Sequence, residues 1–282
     1  MERYRRLEHY VEQRERLQRE LNRAFDPSRA FQLAALHLSV ENYPAAEELL
    51  HRLSRVPGLE AQALTALGGI ALDRRQPRAA EAYFRRALEV APDLTDALQG
   101  LGEALGRQQR WEEALIAYAQ AIEKAPENDA AHLGKIQALS AMGRVQEAIA
   151  ALREWTEQAP QSPLAWSEWG LANYHQGNLE AAIAALERSY ALDPSRPQVW
   201  NNLAWMYAEA GQKLDRALKL AQQVVRQEQS ASAYDTLAFV HLRRGERAQA
   251  LKAWEQAVRL EPENPRYRER LEALRQKEEF GP

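Results

Sequence analysis

Small and large apolar residues return along this chain in a fixed order, separated by charged stretches, and the order repeats every 34 residues. Pro92, Pro126, Pro160 and Pro194 mark the step, and Pro262 lies two steps further on. In a frame that starts at Ala61 and puts this proline at position 32, position 20 carries Ala80, Ala114, Ala148, Ala182 and Ala250. Position 24 carries Phe84, Tyr118, Leu152, Leu186 and Trp254, and position 8 carries Gly68, Gly102, Ile136, Gly170, Ala204 and Ala238. Gly143, Gly177, Gly211 and Gly245 recur at position 15. Alanine, leucine, glutamate and arginine dominate, and runs of β-branched residues are absent, so the elements are helices. Small residues at positions 8 and 20 let two antiparallel helices approach closely, and glycine and proline end them.

One such hairpin cannot bury its apolar face alone, so hairpins must stack. The segments "ALTALGGIALDRRQPRAAEAYFRRALEVAP" and "ALQGLGEALGRQQRWEEALIAYAQAIEKAP" resemble the tetratricopeptide repeat, whose signature is W-x2-L-G-x2-Y, then A-x3-F, then P. The resemblance implies an all-α fold, an α-solenoid coiled as one right-handed superhelix. Its seven helix-turn-helix repeats are 27–60, 61–94, 95–128, 129–162, 163–196, 197–230 and 231–264. The first has Glu41 where glycine is expected, and its Pro57 comes one residue early; the fourth has Lys135 in place of the usual leucine. The sixth gains a residue near Lys213 and loses one in "RQEQS", which predicts an altered turn at both places. Residues 265–282 carry Tyr267, Leu271 and Leu274 on one stripe and predict a capping helix. Residues 1–26 form a charged amphipathic helix with Tyr4, Leu7, Val11, Leu17 and Leu21, read as a cap on the first repeat; self-association or partner binding through it stays open.

Composition narrows the function. With 45% hydrophobic and 27% charged residues in 282, the chain folds around a sizeable core. The N-terminus lacks an apolar leader-like stretch and no run of eighteen apolar residues occurs, so the expected location is the cytoplasm, without membrane insertion. The absence of cysteine removes disulfides and thiol chemistry, and a net charge of −3 gives no pull toward nucleic acid. Almost all of the basic residues are arginine, a usage in keeping with a bacterial source.

Candidate chemistry is thin. Gly100, Gly102 and Gly106 loosely match a phosphate loop, but no strand precedes them and Gly102 holds the close-contact position. His37, His132 and His241 fall inside helix pairs, none at ligand spacing with a carboxylate, so no metal or other cofactor is expected. Arg74, Arg75, Arg78, Arg85 and Arg86 are interleaved with Asp73, Glu81 and Glu89, the pattern of a solvated face. No catalytic arrangement emerges, and the chain is read as a non-enzyme.

Six of the seven tryptophans occupy packing positions; Trp205, at position 9, falls where the resemblance implies a concave inner surface. Asn201, at position 5, lies on that surface too and Asn202 borders it, and Tyr174, His175, Asp235 and Phe239 of the adjoining repeats extend the patch. Trp205 and Phe239 are expected to cover each other in part. The resemblance thus implies a protein–protein interaction scaffold whose groove takes a peptide or helix of a partner, with Asn side chains pairing to its backbone. The inner face so defined holds Asp73, Asp96, Glu103, Glu168, Glu209 and Asp235 against Arg107 and Arg243, which favours a neutral or basic ligand. The competing reading is an assembly or regulatory subunit of a bacterial complex, working through the convex face or the N-terminal helix.

Overall fold

The computed structural model describes residues 2–279, with side chains from Tyr10 to Gln276; the side chains of Tyr4 and Leu7 and the last residues of the 265–282 cap lie outside the described residues. Helix α1 (Glu2–Arg23) precedes a series of hairpins. These are α2 (Pro27–Leu38) with α3 (Tyr43–Leu53), α4 (Glu60–Asp73) with α5 (Pro77–Val90), α6 (Thr95–Arg107) with α7 (Trp111–Lys124), and α8 (Asp129–Ala141) with α9 (Val145–Gln158). They continue as α10 (Pro163–His175) with α11 (Leu179–Leu192), α12 (Pro197–Ala210) with α13 (Leu214–Gln227), and α14 (Ala231–Arg243) with α15 (Arg247–Leu260), before α16 (Pro265–Glu279). No strand occurs among the described residues. The helices group into two compact units, one ending at Ala151 and one beginning at Leu152.

The periodic residues do what their sizes require. A Cβ on Gly68 would stand 2.6 Å from the Phe84 ring, one on Gly102 would stand 2.7 Å from the Tyr118 ring, and one on Gly170 would stand 2.9 Å from Leu186. Alanines at position 20, Ala80, Ala114 and Ala182, are fully buried opposite them. Position 15 closes the turn within every hairpin in the left-handed region, where a side chain costs about 1 kcal/mol. Gly143, Gly177, Gly211 and Gly245 meet that demand without strain, whereas Glu41, Arg75 and Gln109 adopt it at φ of 58 to 60°. In the first hairpin α3 ends early and Gly58 takes φ 84° in the connection, which accounts for the early Pro57.

A second repeated device was not legible as such. His132 Nε2, Trp166 Nε1 and Trp200 Nε1, all at position 4, donate to the carbonyls of Pro126, Pro160 and Pro194 at 2.9, 3.0 and 2.8 Å. Each ring clamps the connection that leads into its own helix. Trp200 is therefore a half-buried residue that packs against the core of the second unit and also clamps its own loop.

Both altered turns are present. Lys213 is the added residue, left-handed at φ 47°, and only Glu228 to Ser230 separate α13 from α14. Helix α1 lies on α2, with Leu17 buried in the core of the first unit and Tyr10 bonded to His37 Nδ1 at 3.1 Å. At the other end, Tyr267, Leu271 and Leu274 of α16 are buried against α14 and α15.

Candidate functional site

Within the second unit the first helices of the hairpins, α10, α12 and α14, and then α16 contribute to one face, where a pocket of about 270 Å³ opens. Tyr174, His175, Asn201, Asn202, Trp205 and Asp235 line it, joined by Arg266 and Tyr267 from α16. Phe239 stands at its edge, stacked on Trp205 with ring centroids 4.3 Å apart and planes at 25°. The structure thus gathers all seven side chains singled out from the sequence, but in different states.

Trp205 is half-buried and heavily tied. Its Nε1 donates to Glu209 Oε2 at 2.9 Å and lies 3.2 Å from the Tyr174 hydroxyl, which itself donates to Glu209 Oε2 at 2.6 Å. Burial, then the bond to Glu209, pushes the Tyr174 phenol up, so it stays a donor at neutral pH. Two guanidinium groups complete the surround, Arg270 at 4.9 Å and Arg266 at 5.5 Å from the indole centroid, in cation–π range. The indole is consequently a built part of the wall, with Phe239 as its partner.

Asp235 departs most from its expected place. It is 4% exposed and accepts from Trp254 Nε1 at 2.8 Å and from Arg270 at 2.5 and 2.6 Å, with Arg266 3.4 Å away. Its charge is spent holding α16 on α14 and is not offered to a ligand. Sequence reasoning missed Arg266 and Arg270 because the repeat frame was stopped at Asn264. Carried on, it places them at positions 2 and 6 of an eighth first helix, beside the inner-face positions already assigned.

The asparagines are left with unused capacity. Asn201 Oδ1 is buried without a hydrogen-bond partner, alone in this among the described side chains, and Asn202 is half-buried beside it. His175 is exposed, its ring 5.9 Å from that of Tyr174. Glu168 on α10 is half-buried; burial raises its pKa against the opposing pull of Arg196. Arg243 donates to the carbonyls of Ala208 and Glu209 at 2.9 and 3.3 Å and closes the end of α12.

Stacked hairpins with a small-residue contact at positions 8 and 20, and a polar and aromatic pocket on the face of their first helices, define a helical-repeat protein of the α-solenoid class. Three family models then converge: tetratricopeptide repeat models match residues 31–95 with 65–129, and 107–167, and the cytochrome c-type biogenesis protein H TPR domain matches 142–267. The chain belongs to the tetratricopeptide repeat proteins. No curated protein sequence matches it. Among solved structures it is similar to a chain of the APC/C hetero-tetramer Cut9–Hcn1, with TM-score 0.59 and 17% identity over 86% of this chain and 52% of that one. It therefore spans about half the length of that relative. PilF of Pseudomonas aeruginosa (TM-score 0.62, 21% identity, 74% and 95%) and YrrB, described as a TPR protein with an unusual peptide-binding site (0.53, 18%, 65% and 95%), share the architecture. At these identities the likeness is one of fold.

Proposed function

We propose that this chain is a protein–protein interaction scaffold whose second unit holds an uncharged, extended segment of a partner in the pocket between α10, α12, α14 and α16. The family and fold are those of binding scaffolds rather than enzymes, and among the described residues no helix is long and apolar enough to cross a membrane. The observation that carries the reading is Asn201. A buried acceptor without a donor costs about 1–3 kcal/mol, and rotation of this amide turns the oxygen toward the pocket, where a peptide N–H satisfies it. Asn202 and the Tyr174–His175 edge then supply further donors and acceptors for register.

Charge decides the class of segment. Asp235 is neutralised by Arg270, Glu209 is engaged by Tyr174 and Trp205, and Arg266 adds a cation at the rim, so the acidic surplus read from the sequence does not reach the pocket. A neutral stretch meets this wall with the fewest unpaired charges. The peptide-binding site named for YrrB agrees with use of this architecture for extended ligands.

The test is site-specific photo-crosslinking in cell extract, with a benzophenone amino acid placed in turn at Asn202, His175 and Ile116 of the full chain. Ile116 is 61% exposed on the second helix α7 and reports on the opposite kind of surface. The expected outcome is one shared adduct from Asn202 and His175, reduced about five- to tenfold by Asn201→Leu, as the loss of one hydrogen-bonding group predicts. Adducts from Ile116 alone would instead favour a partner on the outer face.

A further inference from the structure

Helix α1 is held to the first unit chiefly through α2. Leu17 and Leu21 supply the apolar part of that contact. The polar part centres on His37, in the last turn of α2 and 6% exposed. Its Nδ1 meets the Tyr10 hydroxyl of α1 at 3.1 Å and Asn42 Nδ2, from the turn that follows, at 3.4 Å. The Tyr10 ring stands edge-on to the imidazole with centroids 6.0 Å apart, and the Arg14 guanidinium lies 5.8 Å from the centroid of that same ring.

Two donors at one nitrogen require its lone pair, so the ring is neutral and carries its hydrogen on Nε2. A proton added at Nδ1 would confront both donors and place a second cation near Arg14 in a site with little access to water. No carboxylate bonds the ring to receive it. On α1, Glu15 lies 3.6 Å from Arg14 and Glu20 pairs with Arg29; across the turn and on α4, Glu41 and Asp73 bear on the Tyr43 phenol. Burial, then Arg14, accordingly holds the His37 pKa below its ordinary 6.5.

The seventh hairpin provides a built-in comparison. His241 occupies the same repeat position as His37, and Glu246 the position of Asn42, with nearly the same backbone: φ −88°, ψ 63° against φ −80°, ψ 66°. There Glu246 Oε2 lies 2.6 Å from His241 Nδ1, so a proton on that nitrogen has an acceptor. One scaffold thus pairs a histidine with a carboxylate in the seventh hairpin and with an amide and a phenol in the first.

We infer that α1 is a proton-released cap, which undocks from α2 when His37 gains a proton. Undocking frees the imidazole from Tyr10 and Arg14, so the released form binds the proton more tightly than the docked one. Docking is therefore complete above the ordinary histidine value and is lost as pH falls through the lower docked one, by up to about tenfold in the docking constant per pH unit between them. Release uncovers the seat of Leu17 in the core of the first unit.

The chain has no cysteine, so nitroxide labels can be placed on Gln18→Cys and Ala35→Cys, both exposed, and their separation measured by double electron–electron resonance at pH 7.5 and 5.5. One narrow distance is expected at pH 7.5 and a broad, longer population at pH 5.5. The near-UV ellipticity of the tryptophans, all of which lie outside α1, should be the same at both. Asn42→Glu, which copies the seventh hairpin, and His37→Gln, which cannot gain a proton, should each keep the narrow distance at pH 5.5. An unchanged wild-type distribution, release in both variants to the wild-type extent, or loss of the tryptophan signal in step with release would overturn the inference.

Discussion

Glu168 shows how a single carboxylate on the face of first helices affects the energetics of the fold. Its pKa lies above the ordinary value near 4.5 because burial penalises the anion more than Arg196 favours it. The native state therefore binds this proton more tightly than the unfolded chain. Stability associated with Glu168 is full below the unfolded value and falls as pH rises through the raised native one. Glu168→Gln is expected to raise stability at pH 7 and to leave it unchanged well below pH 4, in denaturant titrations at the two pH values. Legibility at this scale was uneven. Repeat position was enough to place Trp205, Asn201 and Phe239 on one face, because in a periodic helix pair position dictates direction. It did not reveal that Asp235 is consumed by Arg270 and Trp254, since that outcome depends on which long side chains of two later helices reach back, over 35 and 19 residues.

Among the elements, α16 is the least ordinary cap. Its apolar stripe was readable, but its hold on the fold includes the ion pair of Arg270 with Asp235, whose carboxylate side is 5% exposed while the guanidinium is 29% exposed. Removing a buried partner leaves the other charge uncompensated. Asp235→Ala is expected to cost about 2 kcal/mol, below the usual range for a fully buried pair because Arg270 partly reaches water. In hydrogen exchange the amides of α16 should lose protection first, while α14 keeps its own. The turns teach a related lesson. Glycine at position 15 announced four of the left-handed turns, whereas Glu41, Arg75 and Gln109 adopt the same conformation with nothing in their identity to signal it. There the stacking of the flanking helices imposes the geometry on residues that resist it.

At the scale of the molecule, stability is local, because each hairpin touches chiefly its neighbours. The division into units at residues 151 and 152 sharpens this expectation. Gly102→Val would force a side chain to within 2.7 Å of the Tyr118 ring, a clash the packed hairpin cannot absorb. Exchange protection of α6 and α7 should collapse in this variant while α12 to α15 retain theirs; uniform loss across the chain would show that the units unfold as one. The fold class was legible because 34-residue spacing, small-residue contacts and helix-ending prolines all agree. The grouping into units was not, since the phase of the repeat runs through α9 without any mark in sequence.

The sixth hairpin carries one residue too many at Lys213 and one too few before Ser230, so α13 sits one step later in the frame than its counterparts, and Ala217 rather than Arg216 is buried. These two changes offset each other only as a pair. A chimera that exchanged residues 197–230 whole would keep α14 in step with whatever follows, whereas a splice at Gln212 would inherit one change without the other and rotate the next helix by about 100° about its axis. The interchangeable part of this molecule is thus the full hairpin with its outgoing connection, and its natural joints are the segments just before α12 and α14 and not the turn between paired helices.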